Sequence, residues 1–345
     1  MNFRHVTAIV ILAAVAACKP SEQRAAAGDT AQAGAQATPA AAAAAAPAPA
    51  AANPKGAEGW TQVTAVKGFD SPESAWYDST LDVYFVSNTA GGSNSDDSHG
   101  FISRLKGDGT IDSLRFIAGG RDGVTLDSPR GIAVLGDTIW VADGKSLRGF
   151  DKRSGKHLSD VDFAQLGAEL LNDVCLGPDG SVFITDTRAK NGEGEIFRIP
   201  ELSVAGRSRS PQAAKMNRSM EGPNGITWDR VRGHYVVASF GGKNVYSWMP
   251  KADPTPIATG PGRFDGIAAL GDGRVLVTSW NDSSLMVLRG DSLRPVITGL
   301  PEPADIGIDN KRQRVAIPLS ATNEVVIFTI PPATAGRDVP KRVMR

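Results

Sequence analysis

The sequence predicts an all-β chain, a six-bladed β-propeller with four-stranded blades, and three observations predict it. A short phrase recurs six times: SPESAWY at 71–77, SPRGIAV at 128–134, LLNDVCL at 170–176, GPNGITW at 222–228, RFDGIAA at 263–269 and EPADIGI at 302–308. Its third letters, Glu73, Arg130, Asn172, Asn224, Asp265 and Ala304, stand 39 to 57 residues apart, which is the period of propeller blades. The two ends of the repeat region are also complementary. The last unit stops after a third strand, EVVIFTI, at Pro331-Pro332, while WTQVTAV at 60–66 precedes the first phrase as an extra strand.

Within each unit the phrase opens the first strand. A turn follows, plainest as GPDG at 177–180 and GDG at 271–273, and then a second apolar run: DVYFVS, TIWVAD, SVFITD, HYVVAS, RVLVTS or RVAIPL. The third strands are FISRL, SLRGFD, EIFRI, NVYSWM, SLMVL and EVVIF. Fourth strands are visible as DSLRFI, HLSDVDF, TPIAT and RPVIT, and the pattern is weakest around 210–219. The strand at 60–66 supplies the fourth strand of the last blade and closes the ring without a free sheet edge. Residues 60–331 therefore form one domain, with 332–345 as a tail. The stretch VDFAQLGAELL at 161–171 holds the one helical turn expected.

Ahead of the repeats, Arg4 and His5 precede an apolar run, Val6 to Ala17, too short to anchor in a bilayer. It reads as a signal peptide over 1–17. Val15-Ala16-Ala17-Cys18 resembles a bacterial lipobox, which makes Cys18 the lipidated first residue of the mature chain. Lys19 after it follows the sorting pattern for the outer membrane, so the expected place is the cell envelope, lipid-anchored and facing the periplasm. Residues 18–59, rich in Ala and Pro, read as a disordered tether. Lys plus Arg equal Asp plus Glu at 37 each, which gives no reason to expect nucleic acid, and the membrane is reached only through the lipid. The protein is expected to act as a monomer. With Cys18 lipidated, Cys175 is the remaining thiol, at an apolar strand position that suits a small buried hydrophobe.

The third letters carry the chemistry. Inner strands line a propeller's channel, so residues up to 231 apart in the chain converge at one end of it. Burying Glu73 near Asp265 is costly unless a cation or hydrogen bonds compensate. Two carboxylates with the amide oxygens of Asn172 and Asn224 form an all-oxygen set suited to one hard divalent ion such as Ca²⁺, Mg²⁺ or Mn²⁺. Oxygen ligands do not select one ion, and Zn²⁺ stays among the candidates. The bland alternative is a ring of polar residues that bond one another around water.

The residues ES-A-W-Y-D at 73–78, ND at 172–173, PNG at 223–225 and DG at 265–266 resemble the metal-site motifs of the gluconolactonase, regucalcin and luciferin-regenerating enzyme family, whose members are six-bladed propellers. The resemblance runs in order through 60–331. It implies that Glu73, Asn224 and Asp265 bind the metal, that Asn172 contacts water or substrate, and that Asp265 is the general base in opening a lactone or related ester. Two features depart from the pattern: Leu170 stands where sugar-lactone members often have Arg, and Ser74-Ala75 follows Glu73 where Pro is common. Arg130, in a phrase similar to non-catalytic propeller repeats of the NHL type, is expected to pair with a carboxylate or touch the substrate. A non-enzymatic propeller that binds a small ligand, a cell-wall component or a protein is the alternative from another class.

Loop 91–99 is a candidate overhang of the channel mouth, and 187–193 and 206–221 read as exposed insertions. Other chemistries lack their patterns. Gly144-Lys145-Ser146 has Ile139 where a phosphate loop needs Gly, and no HExxH, paired CxxC or GxSxG occurs.

Overall fold

The computed structural model describes residues 51–91, 97–188, 194–202, 212–213 and 220–333, all within the unit Ala48–Arg345. The expected signal peptide over 1–17, Cys18, the tail from 334, and most of the 91–99, 187–193 and 206–221 loops lie outside them. Among the described residues every regular element is a strand apart from one 3-10 turn, Ala164–Leu166, inside the stretch expected to hold a helical turn. Among the described residues no helix is long and apolar enough to cross a membrane.

The strands form antiparallel meanders of four, arranged like the blades of a propeller. Four stand as separate sheets; the fourth and fifth are joined into one nine-stranded sheet by a single parallel pairing, Thr259 with Ser292. The innermost strands are Pro72–Asp78, Pro129–Leu135, Leu171–Leu176, Pro223–Asp229, Phe264–Ala269 and Gly307–Asp309. In the third meander, where the sequence pattern is weakest, the described part of the fourth strand is Gln212–Ala213.

Closure follows the sequence prediction. Gln62–Lys67 pairs antiparallel with Glu324–Thr329, so the N-terminal strand completes the last sheet. The apolar faces then close the circle, because each core cluster is shared by neighbouring meanders. Phe85 and Ile102 pack with Ile132 and Phe150, Trp140 with Val182 and Phe197, and Phe183 with Ile226 and Trp248. Val236 meets Phe264 and Val277, Leu276 meets Val315 and Ile317, and Ala316 and Ile327 return to Ala75 and Tyr84. Each blade thus buries its apolar surface only against its neighbours, which is why no part of the ring is a separate domain.

One boundary is corrected. The expected tether, 18–59, overlaps the fold at its end, where Lys55–Gly56 pairs with Ile297 and Thr298 on the outer edge of the fifth meander. Asn53 N–H donates to Gly299 O and Ala57 N–H to Val296 O. Burial of Trp60 in the core below them supplies the apolar hold that an Ala/Pro-rich chain alone would lack.

Candidate functional site

In five of the six meanders the phrase's third letter is the second residue of the innermost strand, and there the pairing with the second strand slips. The register shifts fall between Pro72 and Ser74, Pro129 and Ile132, Leu171 and Val174, Pro223 and Ile226, and Phe264 and Ile267. A β-bulge leaves an extra residue out of the ladder and re-aims its side chain. Glu73, Arg130, Asn172, Asn224 and Asp265 therefore occupy equivalent bulged positions on five inner strands. Glycine after three of these residues permits the close approach. A Cβ on Gly225 would stand 2.3 Å from the Asp265 carbonyl oxygen, and one on Gly266 would stand 2.6 Å from Asp305 Cα. Ala304, the sixth, precedes its strand and is buried.

All five polar side chains are buried. Arg130 Nη1 donates to Glu73 Oε1 at 3.1 Å, an ion pair between the first two meanders. Four buried oxygens of the set, Glu73 Oε2, Asn172 Oδ1, Asn224 Oδ1 and Asp265 Oδ1, have no hydrogen-bond partner. Buried polar atoms are ordinarily bonded, so four unbonded ones at equivalent positions on four blades mark a place built to hold something. Burial pushes the Glu73 carboxyl up to about 7 in spite of Arg130. Burial also holds Asp265 well above the usual carboxylate range, with the charge of Glu73 adding to the effect and Arg130 opposing it.

Two residues that sequence reasoning missed follow the third letters directly. Asp173 Oδ2 accepts from Ile226 N–H at 2.7 Å and its Oδ1 from Val174 N–H at 2.6 Å. Asp305 Oδ2 accepts from Ser74 Oγ at 2.6 Å and its Oδ1 from Ile306 N–H at 2.9 Å. These carboxylates tie the third meander to the fourth and the sixth to the first. Burial raises Asp173 to about 6 and Asp305 well above the ordinary value, where the charge of Asp173 adds to burial. Beyond them the channel opens into a cavity of about 390 Å³, lined by Ile132, Val174, Ile226, Ile267, Ile306, Trp76 and Trp228 among others. Cys175 also lines it, buried, unpaired and with burial pushing its thiol pKa up, as suits an unreactive hydrophobe. Leu170 is buried too, its N–H donating to Asp186 Oδ1 at 3.0 Å.

The donor set fits a hard divalent cation: Glu73, Asp265, Asn172 and Asn224 each offer an oxygen that nothing else engages. Among the described residues no three His, Cys, Asp or Glu side chains form a metal-binding group, so a cation site here rests on this mixed set of carboxylates and amides.

No family model and no curated protein matches the sequence. Solved structures do match the fold. A gluconolactonase from Xanthomonas campestris aligns with a TM-score of 0.58 at 17% identity, over 82% of this chain and 97% of that one. The luciferin-regenerating enzyme aligns at 0.55 and 12%, over 81% and 96%. Virginiamycin B lyase from Staphylococcus aureus aligns at 0.55 and 15%, over 79% and 99%. The architecture is that of gluconolactonase-like propellers. At these identities the likeness is one of fold, and function has to be argued from the channel.

Proposed function

We propose that this protein is a hydrolase that opens a lactone or related ester at the polar end of its channel, with one divalent cation as cofactor. The observation that carries the reading is the set of four buried, unbonded oxygens on Glu73, Asn172, Asn224 and Asp265. The fold shared with a gluconolactonase supports it.

In this reading Glu73, Asn224 and Asp265 would hold the cation, which would supply Lewis-acid polarisation of the substrate carbonyl. Asp265 would take the proton of the attacking water, and Asn172 would orient water or substrate. Arg130 keeps Glu73 Oε1 engaged, leaving Oε2 as the free oxygen of that carboxylate, and its guanidinium edge is a hydrogen-bond source for the substrate. The bonded carboxylates of Asp173 and Asp305 close the floor beneath and fix the inner strands, so the reacting groups stay in register. Opening the ring yields a hydroxy acid.

The Glu73–Arg130 ion pair favours a second reading, in which an internal cation already braces the channel and the protein binds a ligand without turnover. Calorimetry on chelator-stripped protein with Ca²⁺, Mg²⁺, Mn²⁺ and Zn²⁺, with acid release followed from a panel of lactones, separates the two. Binding of one ion per chain with ion-dependent acid release is the expected result; absence of both ion binding and turnover would support the second reading, and ion binding without turnover would keep the cation and remove the hydrolase. We further propose that Cys18 anchors the protein to the outer membrane as a monomer. Cys18→Ser should move it from the membrane to the soluble fraction, and persistent attachment would remove that claim.

A further inference from the structure

A cleft of about 500 Å³ lies between the fourth and fifth meanders, lined in part by Glu221, Phe240, Lys243 and Arg263. It is on the same end of the molecule as the unbonded oxygens. Glu221 and Arg263 stand just before Asn224 and Asp265, and Phe240 follows the second strand whose last residue pairs with Pro223. Trp280 follows the equivalent strand of the fifth meander, whose last residue, Ser279, pairs with Phe264 beside Asp265. The cleft is therefore lined by residues that neighbour Asn224 and Asp265 along the chain.

Arg263 gives the cleft its chemistry. Its guanidinium lies 4.7 Å from the Trp280 ring centroid and 4.8 Å from that of Phe240, and the two rings meet edge-on at 5.2 Å. Stacking occupies the flat faces of the cation and leaves its in-plane N–H donors for a partner. Among the described residues neither Arg263 nor Lys243 makes a side-chain hydrogen bond or ion pair, although both are exposed. Glu221 is the acidic group of the lining, its Oε2 lying against Gly242. The fold does not ask for Arg263, since the equivalent place two residues before Asn224 is Gly222. The channel beside it holds four carboxylates against one guanidinium, so a substrate entering with its own negative charge needs a cation outside the channel.

We propose that this cleft is a carboxylate subsite: it seats an anionic group of the substrate on the fork of Arg263, with Lys243 adding charge, while the neutral ester end enters the channel. The proposal rests on the lactone-opening reading and names its substrate class, a lactone that also bears a carboxylate.

The test uses a γ-butyrolactone carrying a carboxylate and its methyl ester, each followed for binding by calorimetry and for turnover by acid release. The full-length protein, Arg263→Gln, Arg263→Lys and Lys243→Gln are compared. A charge-assisted bidentate contact corresponds to roughly a tenfold to hundredfold preference for the acid over the ester. Arg263→Gln should bring that ratio near one, Arg263→Lys should retain only part of it, and Lys243→Gln should lower it less than Arg263→Gln. Preferential binding of the acid without turnover of either compound would remove the lactonase reading and leave the subsite standing. Turnover of both with equal constants, unaltered by Arg263→Gln, would overturn the subsite and leave the lactonase. Binding of neither compound overturns the subsite as well.

Discussion

The first inner strand carries a buried carboxylate near each end, and the protein treats the two in opposite ways. At one end Asp78 Oδ1 accepts from Thr80 N–H at 2.7 Å, Thr80 Oγ1 at 2.6 Å and Leu81 N–H at 3.1 Å. The buried Lys152 ammonium lies 2.9 Å from Oδ2. Burial raises the pKa of Asp78, but the bonds from Thr80, Lys152 and Leu81 outweigh it, and the group sits below the ordinary carboxylate value. At the other end Glu73 has Arg130 on one oxygen and nothing on the other, and burial pushes it up to about 7. A charge that serves the fold is compensated within the fold. One left short of partners, in a ring with Asp265, is arranged for a group that arrives from outside.

The contrast can be broken most forcefully at the uncompensated end. Asp265→Asn keeps the shape of the side chain and removes its ability to take a proton. Acid release should fall by about 10²- to 10⁴-fold, the usual contribution of a positioned base. Turnover close to that of the natural protein would move the base elsewhere. At the compensated end the loss should appear in stability. Asp78→Ala leaves the Lys152 ammonium, 4% exposed, with only the exposed Asp137 carboxylate at 3.8 Å as counter-charge, and removing one member of a buried pair costs about 3–5 kcal/mol. Urea unfolding at pH 7 measures this, and a loss below about 1 kcal/mol, the range of exposed ion pairs, would mean that the pair braces nothing.

The pH dependence separates the two ends next. An acid whose folded-state pKa lies above its unfolded value keeps its stabilisation below the unfolded pKa and loses it as pH rises through the folded one. For Glu73 the window runs from 4.5 to about 7, and a shift of that size corresponds to on the order of 3 kcal/mol. Metal-free protein should therefore become easier to unfold between those values. Asp78, whose pKa is lowered, has the opposite sign and contributes above its unfolded value. Added Ca²⁺ or Mn²⁺ should restore stability most at the upper end of the window, where Glu73 is ionised. A midpoint in urea that stayed flat across that window, with and without the ion, would show that Glu73 is compensated after all.

How far the sequence reached is visible in the same residues. The repeated phrase located the inner strands, and the extra strand at 60–66 is the closing strand, Gln62–Lys67, because spacing and strand count are properties of the chain. Five polar third letters were singled out, and the fold sets them side by side. Asp173 and Asp305 were passed over because simple strand alternation turns the neighbour of an inward residue away. For Asp173 the register slip between Leu171 and Val174 cancels that alternation, and Asp305 precedes its strand, Gly307–Asp309, where alternation does not apply. A signal for them existed: Gly131, Gly225 and Gly266 occupy the same place in other phrases, and glycine inside a strand pattern points to a bulge or a close backbone approach. The pairing of Arg130 with Glu73 could not be chosen from spacing, since it depends on which blades are neighbours and how far a guanidinium reaches. The Arg263 stack joins three segments that no single motif contains.

The smallest expected effect is the one that most sharpens the contrast. In metal-free protein at pH 7, Asp265→Asn removes a buried carboxyl whose Oδ1 has no partner and whose charge works against that of Glu73. Sites shaped for function commonly give back stability when the functional group is neutralised, by about 1 kcal/mol. The variant should therefore unfold at slightly higher urea than the natural protein while having lost its activity. Saturating Ca²⁺ or Mn²⁺ should reverse the order, because the natural protein gains binding energy that the variant has forfeited with its carboxylate. If Asp265→Asn instead destabilised the metal-free protein as Asp78→Ala does, Asp265 would be a compensated structural charge, and the two ends of the channel strands would not differ in kind.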